Sequence, residues 1–410
     1  MSSEPSKPVR IGLLGHGTVG AAFAELLAER AGAVEAATGR RPQISGVLSR
    51  SAGDFGAILE RSDLIVELMG GTDPARDFVL DAMRAGRPVV TANKQLLAQH
   101  GDELFGVARA AGVQLRFEAA VAAVIPIVRT IQESFGVTEI AKVFGIVNGT
   151  TNFILSEMAA TGAGYGEVLA RAQELGYAEA DPSDDVSGAD AAAKMAILAR
   201  LAFHTPVTLG EVSYEGIEAI RPDDLAYAKE LGLSLKLLGV AERRNGGISV
   251  RVFPCFLYPG HPLAPIEGPF NAVMVEAPAI TEVTMSGPGA GGLQTASAVL
   301  GDVVSILAGD APVHETRVEL PIVADVTSSF YLYLEVADRP GVLATVATVL
   351  GDHDVSVKSV VQRGAGDDAR LVMVVHECLE SRFAEAVEAL GELDDLRSAP
   401  RSIHVIEKEF

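Results

Sequence analysis

The sequence predicts an α/β protein built from three units, and three patterns along the 410 residues support this prediction. In the first third, short apolar runs alternate with helical stretches, which predicts a parallel, doubly wound sheet. The middle of the chain has helical segments first and strand-like runs later, which indicates an α+β unit. From about residue 326 the order is strand, helix, strand, strand, helix, strand. This βαββαβ order is typical of a ferredoxin-like unit.

The first predicted unit spans residues 1–130. Val9–Leu14 reads as a short apolar strand, and Thr18–Ala31 places apolar residues at helical spacing. The other predicted strands are 44–48, 64–68, 89–91 and 113–117, and the later helices lie near 74–85 and 101–111. We expect a further helix, at about 290–312, to return and pack on this unit.

The second predicted unit spans residues 131–289 and has an open sheet, which suggests that it dimerises. Its predicted helices lie near 150–160, 165–175 and 189–203, and its strands at 234–241, 248–258 and 272–276. A polar, proline-bearing linker at 313–328 leads to the third unit, 329–410. That unit has predicted strands at 330–336, 355–362, 370–375 and 403–407, and helices at 341–351 and 381–390.

A glycine-rich hexapeptide follows the first strand and opens the first helix. Gly15 permits a tight turn, Gly17 lets the backbone approach a pyrophosphate, and Gly20 allows the helix to pack closely on the strand. Thr18 and Val19 begin the helix, whose N-terminus favours phosphate. In this strand–turn–helix context the motif predicts a Rossmann-type dinucleotide-binding domain. A purely structural glycine turn is the alternative.

The end of the second strand bears on which dinucleotide is bound. An acidic residue there would bind the ribose 2′-hydroxyl of NAD, but this chain has Ser49-Arg50-Ser51 and no acid until Asp54. Arg50 could meet the 2′-phosphate of NADP, so the sequence favours NADP, with NAD as the alternative. A solvent-exposed arginine without this role is the other interpretation.

The segment Ala172–Lys194 combines a turn-rich acidic loop with the start of an alanine-rich helix. Four acids lie in the loop, and Asp190 and Lys194 project from one face of the helix. Carboxylates suit the ammonium group of an amino acid, and a lysine could move a proton to or from that ligand. Alternatively, the loop is a solvated surface and the pair an ordinary ion pair worth about 0.3–0.5 kcal/mol. The acids of the loop are Glu179, Asp181, Asp184 and Asp185.

Composition excludes several classes of protein. The formal net charge of −21 disfavours nucleic acid and anionic membrane surfaces as partners. The sequence has no run of about 18 apolar residues, and its first ten residues lack the apolar core of a signal peptide. Two cysteines, Cys255 and Cys378, do not make a disulfide framework. The sequence thus predicts a soluble, cytoplasmic protein.

Taken together, these motifs resemble the homoserine dehydrogenase family, in its form with a C-terminal ACT domain, over nearly the whole chain. Ala172–Lys194 fits the family signature at each of its fixed positions. Four other segments agree with the family pattern: the nucleotide loop, Thr91–Lys94, Gly145–Phe153, and Gly289–Gly292 running into Thr295–Ser297. The family interconverts L-homoserine and L-aspartate 4-semialdehyde with NAD(P), on the route to threonine, methionine and isoleucine.

The resemblance implies roles for individual residues. Asp190 and Lys194 match the family's catalytic pair, and Lys94 matches a lysine that contacts cofactor and substrate. Which of the two lysines transfers the proton is left open. The implied substrate-binding residues are Glu179, Asp184, Asp185 and Thr150, and Gly149 and Gly291 are implied to line the nicotinamide side, although packing alone could explain these two glycines.

The resemblance also implies a cation site and an effector site. The family binds a monovalent cation, sodium or potassium, and its pattern maps to Glu118, Val121, Ala123 and Ile125. This chain departs from many members by having Ala123-Val124 where they have glycine. The ACT-like loop resembles an amino-acid site for threonine, although such a module can also serve only for dimerisation; its residues are Asp338, Pro340, Gly341, Val342 and Leu343.

Rival functions are weighed against the same residues. An aspartate-semialdehyde dehydrogenase needs a cysteine nucleophile, and neither cysteine is suitably placed. A non-catalytic protein that senses nucleotide and amino acid is the alternative from another class, and a fusion with aspartokinase is excluded by length. We therefore expect an NAD(P)-dependent oxidoreductase acting on L-homoserine, inhibited by threonine and assembled as a homodimer or homotetramer.

Overall fold

The structure, a computed structural model, describes residues 8–309 and 317–406. The first unit contains a five-stranded parallel sheet of order β2-β1-β3-β4-β5. Its strands are β1 (Val9–Leu14), β2 (Pro42–Leu48), β3 (Leu64–Glu67), β4 (Val89–Thr91) and β5 (Leu115–Arg116). Its helices are α1 (Thr18–Thr38), α2 (Phe55–Arg61), α3 (Ala75–Arg84) and α4 (Lys94–Ala111). This confirms the predicted Rossmann-type arrangement, with helices joining parallel strands.

The second unit is built on the antiparallel strand order β11-β10-β6-β8-β9, with the short strand β7 on β9. Its strands are β6 (Lys142–Ile146), β7 (Ser213–Tyr214), β8 (Ser234–Arg244), β9 (Gly247–Leu257), β10 (Phe270–Ala277) and β11 (Thr281–Pro288). Its helices are α5 (Ile127–Arg129), α6 (Gly149–Thr161), α7 (Tyr165–Glu174), α8 (Ser183–Val186), α9 (Ala189–Phe203) and α10 (Pro222–Glu230). A last helix, α11 (Gly292–Ala308), returns to pack along α1.

Helix α9 is the central helix of the second unit, and nearly all of its side chains are buried. It lies on the middle strands of the sheet, and a Cβ added at Gly239 on β8 would come within 2.3 Å of the Met195 side chain. Glycine on the strand therefore lets the alanine-rich helix approach the sheet closely. This contact fixes how close α9 lies to the sheet, and it thereby fixes the position of the acidic and basic residues in the first turn of the helix.

The third unit has the predicted βαββαβ order, but its sheet is not separate. Strand β16 pairs in parallel with β9, so that the strands of the third unit continue the sheet of the second in the order β9-β16-β12-β14-β13. Its elements are β12 (Thr327–Glu335), α12 (Val342–Asp352), β13 (Val357–Arg363), β14 (Arg370–Val375), β15 (Cys378–Leu379), α13 (Glu380–Gly391) and β16 (Arg401–Ile406).

Several element predictions differ from the structure. The return helix ends at Ala308, and residues 310–312 of its predicted span lie outside the described residues, as do linker residues 313–316 and residue 407 of the last predicted strand. The end of the predicted linker is already strand, because β12 begins at Thr327. Strands β6 and β11 and helices α2 and α10 were not predicted. Among the described residues, no helix is long and apolar enough to cross a membrane; the cytoplasmic location stays a prediction.

Candidate active site

The nucleotide loop has the conformation that its glycines require. Gly15 has a φ of 96°, and a Cβ there would lie 2.4 Å from the carbonyl oxygen of Leu68. A Cβ at Gly20 would lie 2.2 Å from the carbonyl oxygen of Gly15, so this glycine allows α1 to start against the turn. Gly17 is the N-cap of α1, and Thr18 and Val19 form its first turn. The backbone thus presents a helix N-terminus at the carboxyl edge of the sheet, where a pyrophosphate would bind.

Arg50 lies directly beyond β2 and is exposed. The carboxyl end of β2 adjoins the nucleotide loop, since the Gly15 N–H donates to the Leu48 carbonyl at 2.9 Å. Ser49 closes a turn at this end by donating its N–H to the Ala52 carbonyl oxygen at 2.8 Å. The arginine is therefore placed on the edge of the sheet that a dinucleotide ribose would face.

Lys94 is the first residue of α4, directly after the N-cap Asn93. The Asn93 side chain accepts from the Leu96 N–H at 3.1 Å and donates to the Gly71 carbonyl at 2.6 Å, which ties the start of α4 to the loop after β3. The neighbouring Glu67 is fully buried and accepts from the Thr91 hydroxyl at 2.5 Å. Burial raises the pKa of Glu67, while its hydrogen bonds act in the opposite direction.

Asp190 joins the two lysines into one cluster across the first and second units. Its Oδ1 lies 2.5 Å from Lys94 Nζ, and its Oδ2 lies 2.7 Å from Lys194 Nζ. Lys194 Nζ also donates to the Val147 carbonyl at 2.7 Å. The Lys94 side chain is 37% exposed, that of Lys194 13%, and that of Asp190 only 3%. The predicted catalytic residues are therefore together, and both lysine side chains keep part of their surface exposed.

Asn148 is a further member of this cluster that sequence reasoning did not single out. Its side-chain nitrogen donates to Asp190 Oδ2 at 2.8 Å and to Asp185 Oδ1 at 2.7 Å. Its side-chain oxygen accepts from the Thr151 N–H at 2.8 Å and so caps α6. An asparagine between a strand and a Gly-Thr-Thr helix start is a recognisable capping signal, which could have pointed to this position.

The charges of the cluster shift the pKa values of its members. Burial alone would raise the pKa of Asp190, but the ion pairs with Lys194 and Lys94 outweigh it and lower the pKa well below its usual range. For Lys94, burial lowers the pKa, yet the attraction of Asp190 prevails and the net shift is upward. Burial and the nearby charge of Asp190 raise the pKa of Asp185. The site thus holds one strongly ionised acid and one acid that a cationic ligand would stabilise.

The predicted acidic loop contains a helical turn, α8, and only part of it reaches the cluster. Asp185 is half-buried beside Asn148, and Asp184 is exposed but close enough for its charge to act on Lys94. Glu179 is exposed, and within the described residues its carboxylate makes no contact with the lysines. Thr150 donates its hydroxyl to the Tyr177 carbonyl at 2.7 Å, which holds the start of the acidic loop to α6.

The return segment at Gly289–Gly292 lies against the nucleotide loop. A Cβ at Gly292 would lie 3.1 Å from the Thr18 methyl group, and Gly291 has a φ of 133° that favours glycine. Gly149, at the start of α6, lies close to the main chain of another segment, because a Cβ there would be 2.8 Å from the Pro269 carbonyl oxygen. Gly292 therefore lets the return segment approach the nucleotide loop, and Gly149 lets α6 begin against the main chain at Pro269.

The predicted cation segment forms a tight, buried loop. The Glu118 carboxylate accepts from the N–H groups of Val128 and Arg129 at 2.8 and 2.9 Å. Ala122 and Ala123 adopt left-handed φ values of 55° and 48°, which turn the chain between Val121 and Ile125. At the two positions that depart from glycine, Ala123 is buried, whereas Val124 is 36% exposed.

In the third unit, the predicted effector residues surround the N-terminus of α12. Gly341 is its N-cap, with a φ of 99° and no side-chain hydrogen bond to the first turn. The Asp338 carboxylate accepts from the Gly366 N–H at 2.8 Å. Pro340 lies between Asp338 and Gly341 in the sequence. Val342 is buried, whereas Leu343 is 41% exposed. The loop therefore exposes an uncapped helix start and an apolar side chain.

Comparisons with known proteins agree along the chain. The family model for the homoserine dehydrogenase NAD-binding domain matches residues 15–118, that for homoserine dehydrogenase matches 126–304, and that for the ACT domain matches 330–395. A homoserine dehydrogenase of Corynebacterium glutamicum is 43% identical over 94% of this chain and 93% of its own length. The chain belongs to the homoserine dehydrogenase family. It is an oxidoreductase with an NAD(P)-binding domain and a C-terminal ACT domain, as the sequence predicted.

Solved structures of the family show the same architecture. A homoserine dehydrogenase from Thiobacillus denitrificans superposes with a TM-score of 0.93 at 36% identity, covering 98% of this chain and 99% of that one. A hyperthermophilic archaeal homoserine dehydrogenase in complex with NADPH has a TM-score of 0.65 at 25% identity, covering 75% of this chain and all of that one. The cysteine nucleophile that an aspartate-semialdehyde dehydrogenase needs is also excluded, because both cysteines are buried and burial raises the pKa of both thiols.

Proposed function

We propose that this homoserine dehydrogenase interconverts L-homoserine and L-aspartate 4-semialdehyde at the Asp190 cluster, with NADP as its preferred dinucleotide. The observation that supports this most strongly is the carboxylate of Asp190, which is shared between lysines from two different units. A surface ion pair would not need a buried acid that accepts a hydrogen bond from an asparagine and lies between two ammonium groups. This arrangement supports a proton-transfer role for the two lysines at the border between the nucleotide and the substrate.

The chemistry divides between the dinucleotide and the lysines. The bound dinucleotide supplies the hydride acceptor or donor. In the oxidative direction, a neutral lysine takes the hydroxyl proton of homoserine as the hydride leaves the carbon that bears this hydroxyl group. In the reductive direction, the ammonium form polarises the aldehyde and returns the proton to its oxygen. Lys194 directs two of its N–H groups to Val147 and Asp190, which leaves the third direction for the substrate oxygen.

The acids next to the cluster are proposed to bind the substrate ammonium group. Asp185 is half-buried, and its raised pKa reflects burial and the charge of Asp190, so a bound cation would stabilise its ionised form. Asp184 and Glu179 are more exposed and would complete the negative surface around the ammonium group once substrate is present. Thr150 keeps the loop in place through Tyr177.

The preference for NADP rests on Arg50. It is exposed at the carboxyl end of β2, where an acidic residue would favour the ribose hydroxyls of NAD. A guanidinium group can instead bind a 2′-phosphate with two hydrogen bonds. We expect Arg50→Ala to raise the KM for NADP⁺ without changing that for NAD⁺.

A monovalent cation, sodium or potassium, fits the Val121–Ile125 loop. Oxygen donors suit such ions, and the left-handed φ values of Ala122 and Ala123 turn the main chain sharply within this loop. Burial raises the pKa of Glu118 to about 7 and that of Asp302 to about 6, and a cation bound nearby would stabilise the ionised form of both carboxyl groups. The carbonyls of Val121, Ala123 and Ile125 would hold the ion, with Glu118 shaping the loop.

Threonine is the proposed effector, with the loop Asp338–Leu343 as its site. The uncapped N-terminus of α12 would bind a carboxylate, and Leu343 offers an apolar contact to a side chain. We also propose a homodimer or homotetramer, because the edge strands β11 and β13 both have mostly exposed side chains. Feedback by threonine would fit a step on the route to threonine, methionine and isoleucine.

One assay tests the proposed function. Purified protein is incubated with L-homoserine and either NADP⁺ or NAD⁺, and formation of the reduced dinucleotide is followed at about 340 nm. We expect turnover with both and a higher kcat/KM with NADP⁺. Folded protein that reduces neither would contradict catalysis and favour the sensor alternative. A rate that does not change with added threonine would remove the feedback proposal and leave the enzyme assignment intact.

A further inference from the structure

The side-chain amide of Asn271 is an unpaired polar group in the interior of the protein. Asn271 lies on β10 with no exposed surface, and both its side-chain nitrogen and its side-chain oxygen lack a hydrogen-bond partner among the residues that the structure describes. Leaving an amide unpaired in the interior costs free energy, and nearly all buried amides in folded proteins are paired. The position therefore calls for an explanation beyond packing.

This amide lies directly against the backbone of the return segment. Asn271 is opposite Gly287 in the pairing of β10 with β11, two residues before Gly289. A Cβ built at Gly289 would lie 2.2 Å from the amide oxygen of Asn271 and 2.6 Å from its nitrogen. The lack of a side chain at Gly289 is thus what makes room for the amide, and the two groups are in van der Waals contact.

The segment Gly289–Gly291 is where the chain passes from the catalytic sheet to the nucleotide-binding unit. Before it, β11 belongs to the sheet; after it, α11 packs along α1, with Gly292 beside Thr18 of the nucleotide loop. The Gly289 N–H reaches the Pro269 carbonyl only at 3.5 Å, a long hydrogen bond. Gly291 has a φ of 133° and a ψ of 145°. The crossing is therefore a short, glycine-rich segment that can act as a hinge.

We propose that Asn271 is a positioning residue that locks this hinge when the dinucleotide binds. In that state the peptide groups of Gly289–Gly291 hydrogen-bond to the Asn271 amide, which carries both donors and an acceptor and can therefore pair with N–H and C=O groups alike. Because the side chain is fully enclosed, it acts on the dinucleotide through the segment and not by contact. The inference rests on the proposed function, since it requires the nucleotide loop to bind NADP(H).

The test uses Asn271→Leu, which keeps nearly the same shape and removes both polar ends. NADPH binding is measured by fluorescence titration, and hydrogen exchange of residues 287–292 is measured with and without NADPH. We expect about tenfold weaker NADPH binding, the order of one lost hydrogen bond. The KM for NADP⁺ rises by a similar factor, kcat changes less than about twofold, and NADPH no longer slows exchange in the segment.

Tyr331→Phe is the matched control, because it removes a different buried polar group without a partner in the described part of the chain, the Tyr331 hydroxyl on β12. It should leave NADPH binding at the wild-type value. Asn271→Ala serves if the leucine variant does not fold, and the same weakening is expected of it. Variants that bind NADPH as tightly as the wild type would overturn the role of Asn271. Wild-type protein that does not bind NADPH would instead contradict the nucleotide assignment.

Discussion

At the scale of single residues, the site depends on one carboxylate. The sequence predicted the Asp190–Lys194 pair, because residues four apart share a helix face. It could not predict from spacing that Lys94 would reach the other oxygen of Asp190, since that contact joins two units. Asn148 was missed for the same reason: its capping role is local, but its bonds to Asp185 and Asp190 arise only in the folded chain.

The two lysines are expected to differ when replaced. Lys194 is the more enclosed and is held by two acceptors, so its nitrogen has a fixed direction. We predict that Lys194→Ala lowers kcat by about 100-fold or more, the range of general acid–base catalysis, with little change in the KM for NADP⁺. Lys94→Ala should raise the KM values for both substrates more than it lowers kcat. Steady-state kinetics in both directions measures these effects.

Lys229→Ala provides the control, because this lysine is exposed on α10 outside the cluster. Its kinetics should match the wild type. If Lys194→Ala turned over near the normal rate while Lys94→Ala lost kcat, the proton-transfer role would pass to Lys94. The Asp190 cluster would keep its place in the mechanism in that case, because both lysines bind the same carboxylate.

At the scale of elements, the sequence predicted best where a helix or strand is strongly apolar. The bounds of α9 agree with the prediction at Ala189–Phe203, because the helix is alanine-rich and buried on nearly every side. Strand β11 was missed because most of its residues are exposed and an edge strand lacks a continuous apolar run. Helix α10 was missed because it is short, although the proline and two acids at its start are signals of a helix N-terminus.

The acidic loop that contains α8 packs against the segment after β7, an element that the sequence did not reveal. A Cβ at Gly216, just after β7, would lie 2.2 Å from the Val186 carbonyl oxygen and 2.7 Å from Ser187 Cα. We predict that Gly216→Ala displaces the loop and raises the KM for L-homoserine by about tenfold or more, since small misplacements weaken positioned contacts strongly. The dissociation constant of NADPH should not change.

Gly210→Ala is a close control, because a Cβ at Gly210 meets nothing within 4 Å. It lies in the short turn before β7 and should leave both constants unchanged. An unaltered KM for homoserine in folded Gly216→Ala protein would show that the segment after β7 does not set the position of the acidic loop. Weakened NADPH binding would indicate a wider disturbance than the contact predicts.

At the scale of the whole molecule, the ACT unit shares the interior of the catalytic unit. The pairing of β16 with β9 and two ring contacts join them: Phe253 stacks on His404 at 3.8 Å between centroids, and Phe256 meets Tyr331 edge-on at 5.1 Å. Buried Arg251 also bridges Glu242 and Glu380 across the junction. The sequence predicted the βαββαβ order but not this union, because strand pairing between units leaves no local pattern.

The union predicts how the chain responds to removal of its third unit. In this chain, removing residues 326–410 would expose the edge of β9 together with Phe253 and Phe256, which are now almost fully buried. Exposing two such side chains costs about 3 kcal/mol or more.

We therefore predict that the shortened chain melts at least roughly 4 °C below the full chain, following the usual relation between stability and Tm for a protein of this size. Differential scanning calorimetry measures this, and the full chain should show the catalytic and ACT units unfolding together. Val360→Ser in the full chain is the control, since Val360 is 42% exposed on the edge strand β13 and should not affect Tm. A shortened chain as stable as the full one, or an ACT unit that melts separately, would mean that the continuous sheet does not make the two units one cooperative structure.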